Sequence, residues 1–438
     1  MHNLAIALHR KGYDVSGSDD QIFEPSASRL AACGLFPERE GWNAQKIHRG
    51  LDAVILGMHA KADNTELLKA RELGLKIYSY PEFLYEQSKD KKRVVIGGSH
   101  GKTTITSMIL HVLQNCGIDA DYMVGAQLEG FDVMVKLDDN AGLIILEGDE
   151  YLSSALDRRP KFHLYKPHVA LISGIAWDHV NVFPTYEGYV EQFRLFVETI
   201  EPDGMLIYCN DDPEVVRVCE KFDWLKKIPY GLAEYVVKDG QTFIISGKSE
   251  FPINVFGRHN LLNINGARMV CNHLGVDDYS FYYSLQAFKG ASKRLERVLE
   301  RDGIVVYKDF AHAPSKVKAT TQAVRQQHPG KTMVACVELH TYSSLSEVFL
   351  PLYDGSLDGA DVALVFFDHH AIKLKRLPHL DEEAVARAFR KPGVEVYTDT
   401  AKLQERLKGL IKANTCFLMM SSGNFGGIDV TRFFNDSA

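Results

Sequence analysis

The run best suited to holding phosphate is Gly98-Ser99-His100-Gly101-Lys102-Thr103-Thr104. It follows the apolar run at 94–96 and precedes ITSMILHVL, so it lies between an expected strand and an expected helix. Glycines let backbone N–H groups converge on phosphate oxygens, and a helix N-terminus adds positive potential. Lys102 would reach the β- and γ-phosphates, and the Thr103 hydroxyl would ligate Mg²⁺. The spacing is not the usual G-x-x-x-x-G-K-[ST], because residue 96 is isoleucine. A chance GKT in a glycine turn is the competing reading, and the strand–turn–helix setting argues against it.

Two further groups have metal-site chemistry. Glu147-Gly148-Asp149-Glu150 follows the apolar run at 143–146. Carboxylates at the C-terminal end of a parallel strand point into the ligand crevice. Mg²⁺ takes oxygen ligands and usually a nucleotide phosphate as well. Glu147, the first acid after the strand, is the preferred ligand. Asp178-His179 likewise follows an apolar run, expected as a strand over 169–175.

The elements that must position these groups alternate. MHNLAIALHRKGYDVSGSDD reads as helix, turn and strand, with Leu4, Ile6, Ala7 and Leu8 as the apolar face, a stop at Gly12 and a strand from Tyr13 to Ser16. LDAVILGM and LKIYSY read as strands, with the helical NTELLKARELG between them. SKDKKR at 88–93 reads as a polar linker. GQTFIIS and FPINVFG form a β-rich insertion, a helical run covers 259–274, and a third strand–helix series begins near 299. Strand alternating with helix implies parallel sheets. The expected organisation is α/β in three domains, 1–91, 92–298 and 299–438.

The 438 residues are 45% hydrophobic and 24% charged, with a net charge of −7. These are ordinary globular values, which exclude a disordered or collagen-like chain. An acidic balance makes general nucleic-acid binding a poor expectation. No apolar run approaches the ~18 residues of a membrane span, and no signal-peptide pattern opens the chain, so a cytoplasmic protein with no membrane partner is expected. The seven cysteines are scattered and never spaced C-x-x-C, which argues for reduced thiols.

Taken together, these pieces resemble the Mur ligase family, the ATP-dependent amide-forming ligases of peptidoglycan precursors. The family's phosphate loop is short, of the form G-[ST]-[NH]-G-K-T-T. Its E-A-D-E-like box is similar to Glu147-Gly148-Asp149-Glu150, and its D-H with a later aromatic and Pro to Asp178-His179 with Phe183-Pro184. G-x-H-N-x-x-N is matched by Gly257 to Asn263, and K-R-x-E by Lys293-Arg294-Leu295-Glu296. D-[FY]-[AG]-H-x-P is matched by Asp309-Phe310-Ala311-His312-Ala313-Pro314. The resemblance implies a Rossmann-like UDP-binding domain, a central phosphate-loop ATPase domain and a Rossmann-like acceptor domain. It implies ATP and Mg²⁺ as cofactors, UDP-N-acetylmuramate and an amino acid or peptide as substrates, and a monomer or weak homo-oligomer.

Roles carry over residue by residue. Gly98, Gly101, Lys102, Thr103 and Thr104 match the ATP phosphate loop; Thr103, Glu147 and His179 match Mg²⁺ positions. Asn260 and Asn263 match the adenine side, Arg294 an arginine reaching the phosphates, and Asp309 a ribose contact. His312, His340 and Tyr342 fall near the incoming amine, with His312 the candidate base. Ser18 and Asp19 fall on the UDP-substrate side.

Two branches of the family act on UDP-N-acetylmuramate itself. One adds L-alanine. The other re-attaches the recycled tripeptide L-alanyl-γ-D-glutamyl-meso-diaminopimelate. Ser18 to Pro25, Asp309 to His312 and Met420 to Gly427 are similar to the second branch, whose terminal stretch is M-S-N-G-x-F-G-G. Glu338-Leu339-His340-Thr341-Tyr342-Ser343 is closer to the first, with Thr341 in place of an arginine. The tripeptide is the preferred acceptor. Family members open with a strand and a Gly-rich turn, whereas this sequence begins at the helix after them; a start further upstream is therefore expected. The rival readings are a folylpolyglutamate-type ligase, a nucleotide-dependent switch, and a non-catalytic binding protein.

Overall fold

The computed structural model describes residues 1–437 apart from 59, 129, 239–240, 291–293 and 376. Lys293 of the K-R-x-E box therefore lies outside the described residues. The chain condenses into two compact units. The first comprises Met1–Ile175, Val190–Tyr230 and Gly266–Val276, and the second Ala176–Tyr189, Gly231–Asn265 and Asp277–Ala438.

The first unit opens with the helix His2–Arg10, which buries Leu4, Ile6, Ala7 and Leu8 as its apolar spacing requires. Ile6 packs with Leu30 and Val133. The strand expected at Tyr13 to Ser16 does not form. Strand β1 (Val54–Leu56) pairs in parallel with β2 (Ile77–Ser79) in a two-stranded sheet. Residues 13–18 join no ladder, and an extended segment without a neighbour has nowhere to place its backbone hydrogen bonds. Between β1 and β2 the helix Thr65–Glu72 is capped by the Asn64 side chain, which accepts from the N–H groups of Glu66 and Leu67. After β2, Ser79 and Glu82 form a capping box for the helix Tyr80–Glu86.

Seven strands follow: β3 (Lys92–Gly97), β4 (Asp121–Met123), β5 (Val135–Lys136), β6 (Leu143–Glu147), β7 (Val169–Ile172), β8 (Met205–Cys209) and β9 (Lys226–Tyr230). Their order is β5-β4-β6-β3-β7-β8-β9, parallel except for the antiparallel β4–β5 pair. β3 is central and its residues 94–96 are fully buried, as are 144–146 of β6. Strands covered on both faces read as unbroken apolar runs, which is why they were legible in the sequence. β7 stops at Ile172, short of the expected 175, because Ser173 turns its hydroxyl to the carbonyls of Gly97 and His100.

The stretch 88–93, expected as a polar linker, is knotted around Arg93. This guanidinium is 2% exposed. It donates to the carbonyls of Ser88, Lys89, Lys91, Tyr165 and Lys166, and to Glu201 Oε1 at 2.8 Å. One side chain thus ties the approach to β3 to the start of β7.

The second unit contains an antiparallel sheet of β10 (Tyr235–Lys238), β11 (Gln241–Ser246) and β12 (Ser249–Ile253). It also contains β13 (Glu296–Arg301), β14 (Ile304–Asp309), β15 (Thr332–Glu338), β16 (Val362–Phe366), β17 (Glu395–Tyr397) and β18 (Thr415–Met420). Their order is β13-β14-β18-β15-β16-β17, parallel except for β13–β14. Along β15, Met333, Ala335 and Val337 join one apolar layer while Val334 and Cys336 join the other, the period of two expected of a strand between two layers. A domain cut at 298 would pass through β13. All seven cysteines are free, and no helix among the described residues is long and apolar enough to cross a membrane.

Arg93→Met would strand Glu201 and five carbonyls in a half-buried junction. We expect a loss of about 3–5 kcal/mol of stability, read by denaturant unfolding. A change below about 1 kcal/mol would show that the knot is not a structural tie.

Candidate active site

β3 ends at Gly97 and the helix Lys102–Asn115 begins after four intervening residues, with Gly101 as its N-cap at φ +79°. No side chain caps this end, so the first-turn N–H groups are available to an anion. The loop is pinned to the residues after β7. Ser99 N–H donates to Gly174 O at 2.9 Å, and the Ser173 hydroxyl donates to His100 O. The approach is too close for larger residues. A Cβ on Gly98, at φ +136°, would stand 2.1 Å from Ser173 Oγ, and one on Gly174 would stand 2.3 Å from the His100 ring.

Lys102 Nζ donates to Gly98 O and to Glu150 Oε2, both at 2.6 Å. Burial works against the Lys102 ammonium, but the charges of Glu150, Asp149 and Glu147 outweigh it and hold its pKa above the ordinary lysine range. Glu150, 1% exposed, is a partner that the sequence reading placed in the acidic box without a role. Beside this pair the Thr103 hydroxyl donates to Glu147 Oε1 at 2.8 Å, and Glu147 Oε2 accepts Gly125 N–H at 2.9 Å. Both side chains are buried, and Thr104 is buried behind them. A hydroxyl and a carboxylate facing one another are hard oxygen donors, which fits Mg²⁺. Among the described residues no group of three or more His, Cys, Asp or Glu could hold a metal ion.

His179 belongs to the second unit, and Thr103 and Glu147 to the first. It sits at φ +56° and its N–H donates to Asp178 Oδ1 at 2.8 Å. Asp178 is buried and also accepts Lys316 Nζ at 3.3 Å. Burial alone would raise the Asp178 carboxyl; the charges of Lys316, His179 and His312, with the His179 N–H, hold it down to about 2. His312 is pushed down to about 4 by burial and by Lys316, against the pull of Asp178. Its Nδ1 lies 2.8 Å from Phe310 O, which assigns the proton to Nδ1 and leaves Nε2 as the acceptor. Asp178 was named from sequence only as half of the Asp178-His179 pair, without a role of its own, and Lys316 was not singled out.

The remaining site residues sit as follows. Asn260 and Asn263 are buried on one face of the helix Arg258–His273, and Asn260 Nδ2 donates to Phe256 O at 2.9 Å. Gly257, which precedes that helix at φ +89°, comes so close to Ala323 that the two Cβ positions would be 2.4 Å apart. The Arg294 guanidinium lies 4.7 Å from the centre of the Phe310 ring. The Asp309 carboxylate, expected to face a ribose, is committed to the backbone, accepting from the N–H groups of Leu295 and Ala311. Burial raises its pKa, against the pull of Arg294 and these donors. His340 Nδ1 is 3.8 Å from the buried Glu338, and Tyr342 is exposed. Ser18 is held by Lys46 at 3.2 Å, and Asp19 Oδ1 accepts the Asp20 N–H at 2.9 Å.

Three family models cover most of the chain. The Mur ligase family catalytic domain matches residues 1–92, the Mur ligase middle domain 96–271, and the Mur ligase glutamate ligase domain 293–423. A UDP-N-acetylmuramate–L-alanine ligase of Caldicellulosiruptor bescii is 31% identical over 415 residues, spanning 90% of this chain and 87% of the relative. The chain belongs to the Mur ligase family. It is an ATP-dependent amide-forming ligase of peptidoglycan synthesis with the family's three-domain α/β fold. Two solved Mur ligase structures share that fold. The murein peptide ligase of Psychrobacter arcticus superposes with a TM-score of 0.68 at 23% identity, covering 99% of this chain and 96% of the other. The UDP-N-acetylmuramate–alanine ligase of Thermotoga maritima gives 0.70 at 19%, covering 99% and 95%.

Two predictions follow from this geometry. Gly98→Ala forces the loop off Ser173, costing about 1–3 kcal/mol and most of the nucleotide affinity. Unchanged ADP binding by calorimetry would show that the close approach does not shape the site. The second concerns His312, neutral in the folded chain down to pH about 4 but protonated below about 6.5 once unfolded. Its contribution is thus intact above pH 6.5 and is lost as pH falls toward 4. His312→Gln should remove about 2–3 kcal/mol of the acid destabilisation between pH 7 and 4. Equal pH slopes for variant and parent in denaturant titrations would contradict this.

Proposed function

We propose that this ligase joins UDP-N-acetylmuramate to L-alanyl-γ-D-glutamyl-meso-diaminopimelate, in peptidoglycan recycling in the cytoplasm. The observation that carries the choice of acceptor is how the terminal turn meets Glu338. The Ser421 hydroxyl and the Phe425 N–H, the latter at 2.8 Å, both donate to Glu338 Oε2. A Cβ on Gly423 would lie 2.8 Å from Glu338 Oε2 and 2.9 Å from the His340 ring. The turn that resembles the recycling branch therefore walls the corner that carries His340. The second reading is an L-alanine acceptor, favoured by the alanine ligase relative and by Leu339-His340-Thr341-Tyr342.

In this reading residues 1–91 hold the UDP moiety, with Ser18 and Asp19 on that side. Residues 92–298 hold ATP, and 299–438 bring the amine past His340 and Tyr342. The lactyl carboxylate attacks the γ-phosphorus, the bond to ADP breaks, and an acyl phosphate forms. The amine nitrogen then attacks the carbonyl carbon, the carbon–oxygen bond to phosphate breaks, and nitrogen gives up a proton. Lys102 exchanges Glu150 for phosphate oxygens and offsets charge on the transferring group, and Arg294 is given the same role. Thr103, Glu147 and His179 would hold Mg²⁺, which supplies further charge neutralisation there. Asn260 and Asn263 take the adenine side. Asp309, which fixes the turn after Arg294, takes the ribose side. His312 offers an unprotonated Nε2 to the leaving proton.

The test is phosphate release from ATP with UDP-N-acetylmuramate and either acceptor. Turnover with the tripeptide is expected, and turnover with alanine alone would overturn the choice of branch. Lys102→Met should lower the rate about 10³-fold or more. A near-normal rate in that variant would remove Lys102 from the phosphate site.

A further inference from the structure

Among the described contacts, three tie the segment that carries His179 to other parts of its unit. The Trp177 ring stands edge-on to Phe349 with centroids 6.2 Å apart. Val180 N–H donates to Ser343 Oγ at 3.2 Å. The third anchor is the ion pair between Asp178 Oδ2 and Lys316 Nζ, in which the Asp178 side chain is 6% exposed and that of Lys316 22%. It is the charged one of the three.

Lys316 breaks a local rule to make this pair. It is the third residue of the helix Pro314–Gln327, whose first turn carries no acid. A cation there opposes the positive end of the helix. The carboxylate of Asp178 offsets both charges. Its other oxygen accepts the His179 N–H at 2.8 Å. His179 holds a left-handed backbone at φ +56°, and its carbonyl accepts from Val182 and Phe183 N–H at 2.8 and 2.9 Å. Residues other than Gly, Asn and Asp visit that region seldom, and the surroundings must hold them there. One carboxylate therefore links a lysine on the helix to the backbone of a strained histidine.

We propose that Lys316 is a positioning residue that acts through Asp178 to fix His179 for the metal. This rests on the reading of His179 as a metal position. Without Lys316 the buried Asp178 has lost its closest counter-ion; it turns toward water and takes the His179 backbone with it. Outer partners of metal ligands commonly have such leverage on metal affinity.

The readout is Mn²⁺ binding to the whole chain in the presence of ADP, followed by electron paramagnetic resonance. Lys316→Met should weaken Mn²⁺ about 10-fold, and Lys316→Arg should restore most of the loss. The double variant Lys316→Met, Asp178→Asn leaves no unpaired buried charge, so it guards against simple misfolding and should show the same weakening. His179→Gln is the control. If it weakens Mn²⁺ while Lys316→Met or the double variant binds as the parent does, the positioning role is overturned and the metal reading stands. If His179→Gln also binds Mn²⁺ normally, the metal reading fails and the positioning role fails with it. Failure of Lys316→Arg to restore binding would overturn the charge link.

Discussion

The site depends on two neighbouring strands, β3 and β7, running on into loops with almost nothing between them. Gly98 and Gly174 supply that clearance, and Ser173 fills it with a hydroxyl that fastens both strand ends. Fixing the loop in advance matters because backbone amides stabilise phosphate best when they need not reorganise to meet it. The sheet order serves the same end. β3 has β6 on one side and β7 on the other, so the crevice at their carboxyl ends opens beside the loop. Arg93, at the opposite end of β3, holds the strand's entry as firmly as the serine holds its exit.

The parts legible in the sequence were those with strong local physics. Apolar runs buried on both faces gave β3 and β6, and the spacing of Leu4, Ile6, Ala7 and Leu8 gave the first helix. The glycine turn before Lys102 marked the junction between β3 and the following helix. What was missed depended on residues distant in sequence. Tyr13 to Ser16 has strand-like residues, but a strand is a property of a pair, and no described neighbour pairs with it. The basic run at 88–93 read as a polar linker because nothing local tells that Arg93 turns inward to five carbonyls. Glu150, Asp178 and Lys316 were readable as charges but not as partners. Their pairings span 48 and 138 positions of chain.

The motifs used to choose an acceptor also proved to be less separate than their sequence positions imply. The stretch around His340 and the turn at Met420 to Gly427 pull toward different branches when read alone. In three dimensions both converge on one buried carboxylate, Glu338. If the acceptor binds in this corner, its preference would be a joint property of β15, the turn after β18 and the glycine that lets them touch. Counting motif matches therefore weighs the same small volume more than once.

The contact between Lys102 and Glu150 has a further consequence. A lysine already neutralised by a buried acid does not wait as a bare charge. Its charge is balanced inside the fold by a side chain 48 positions further along the chain. Under the proposed reading, a phosphate oxygen would have to take the place of Glu150 on the ammonium, so part of the attraction for nucleotide would be spent on breaking that bond. Glu150 would then stay beside the lysine as a tethered competitor for it.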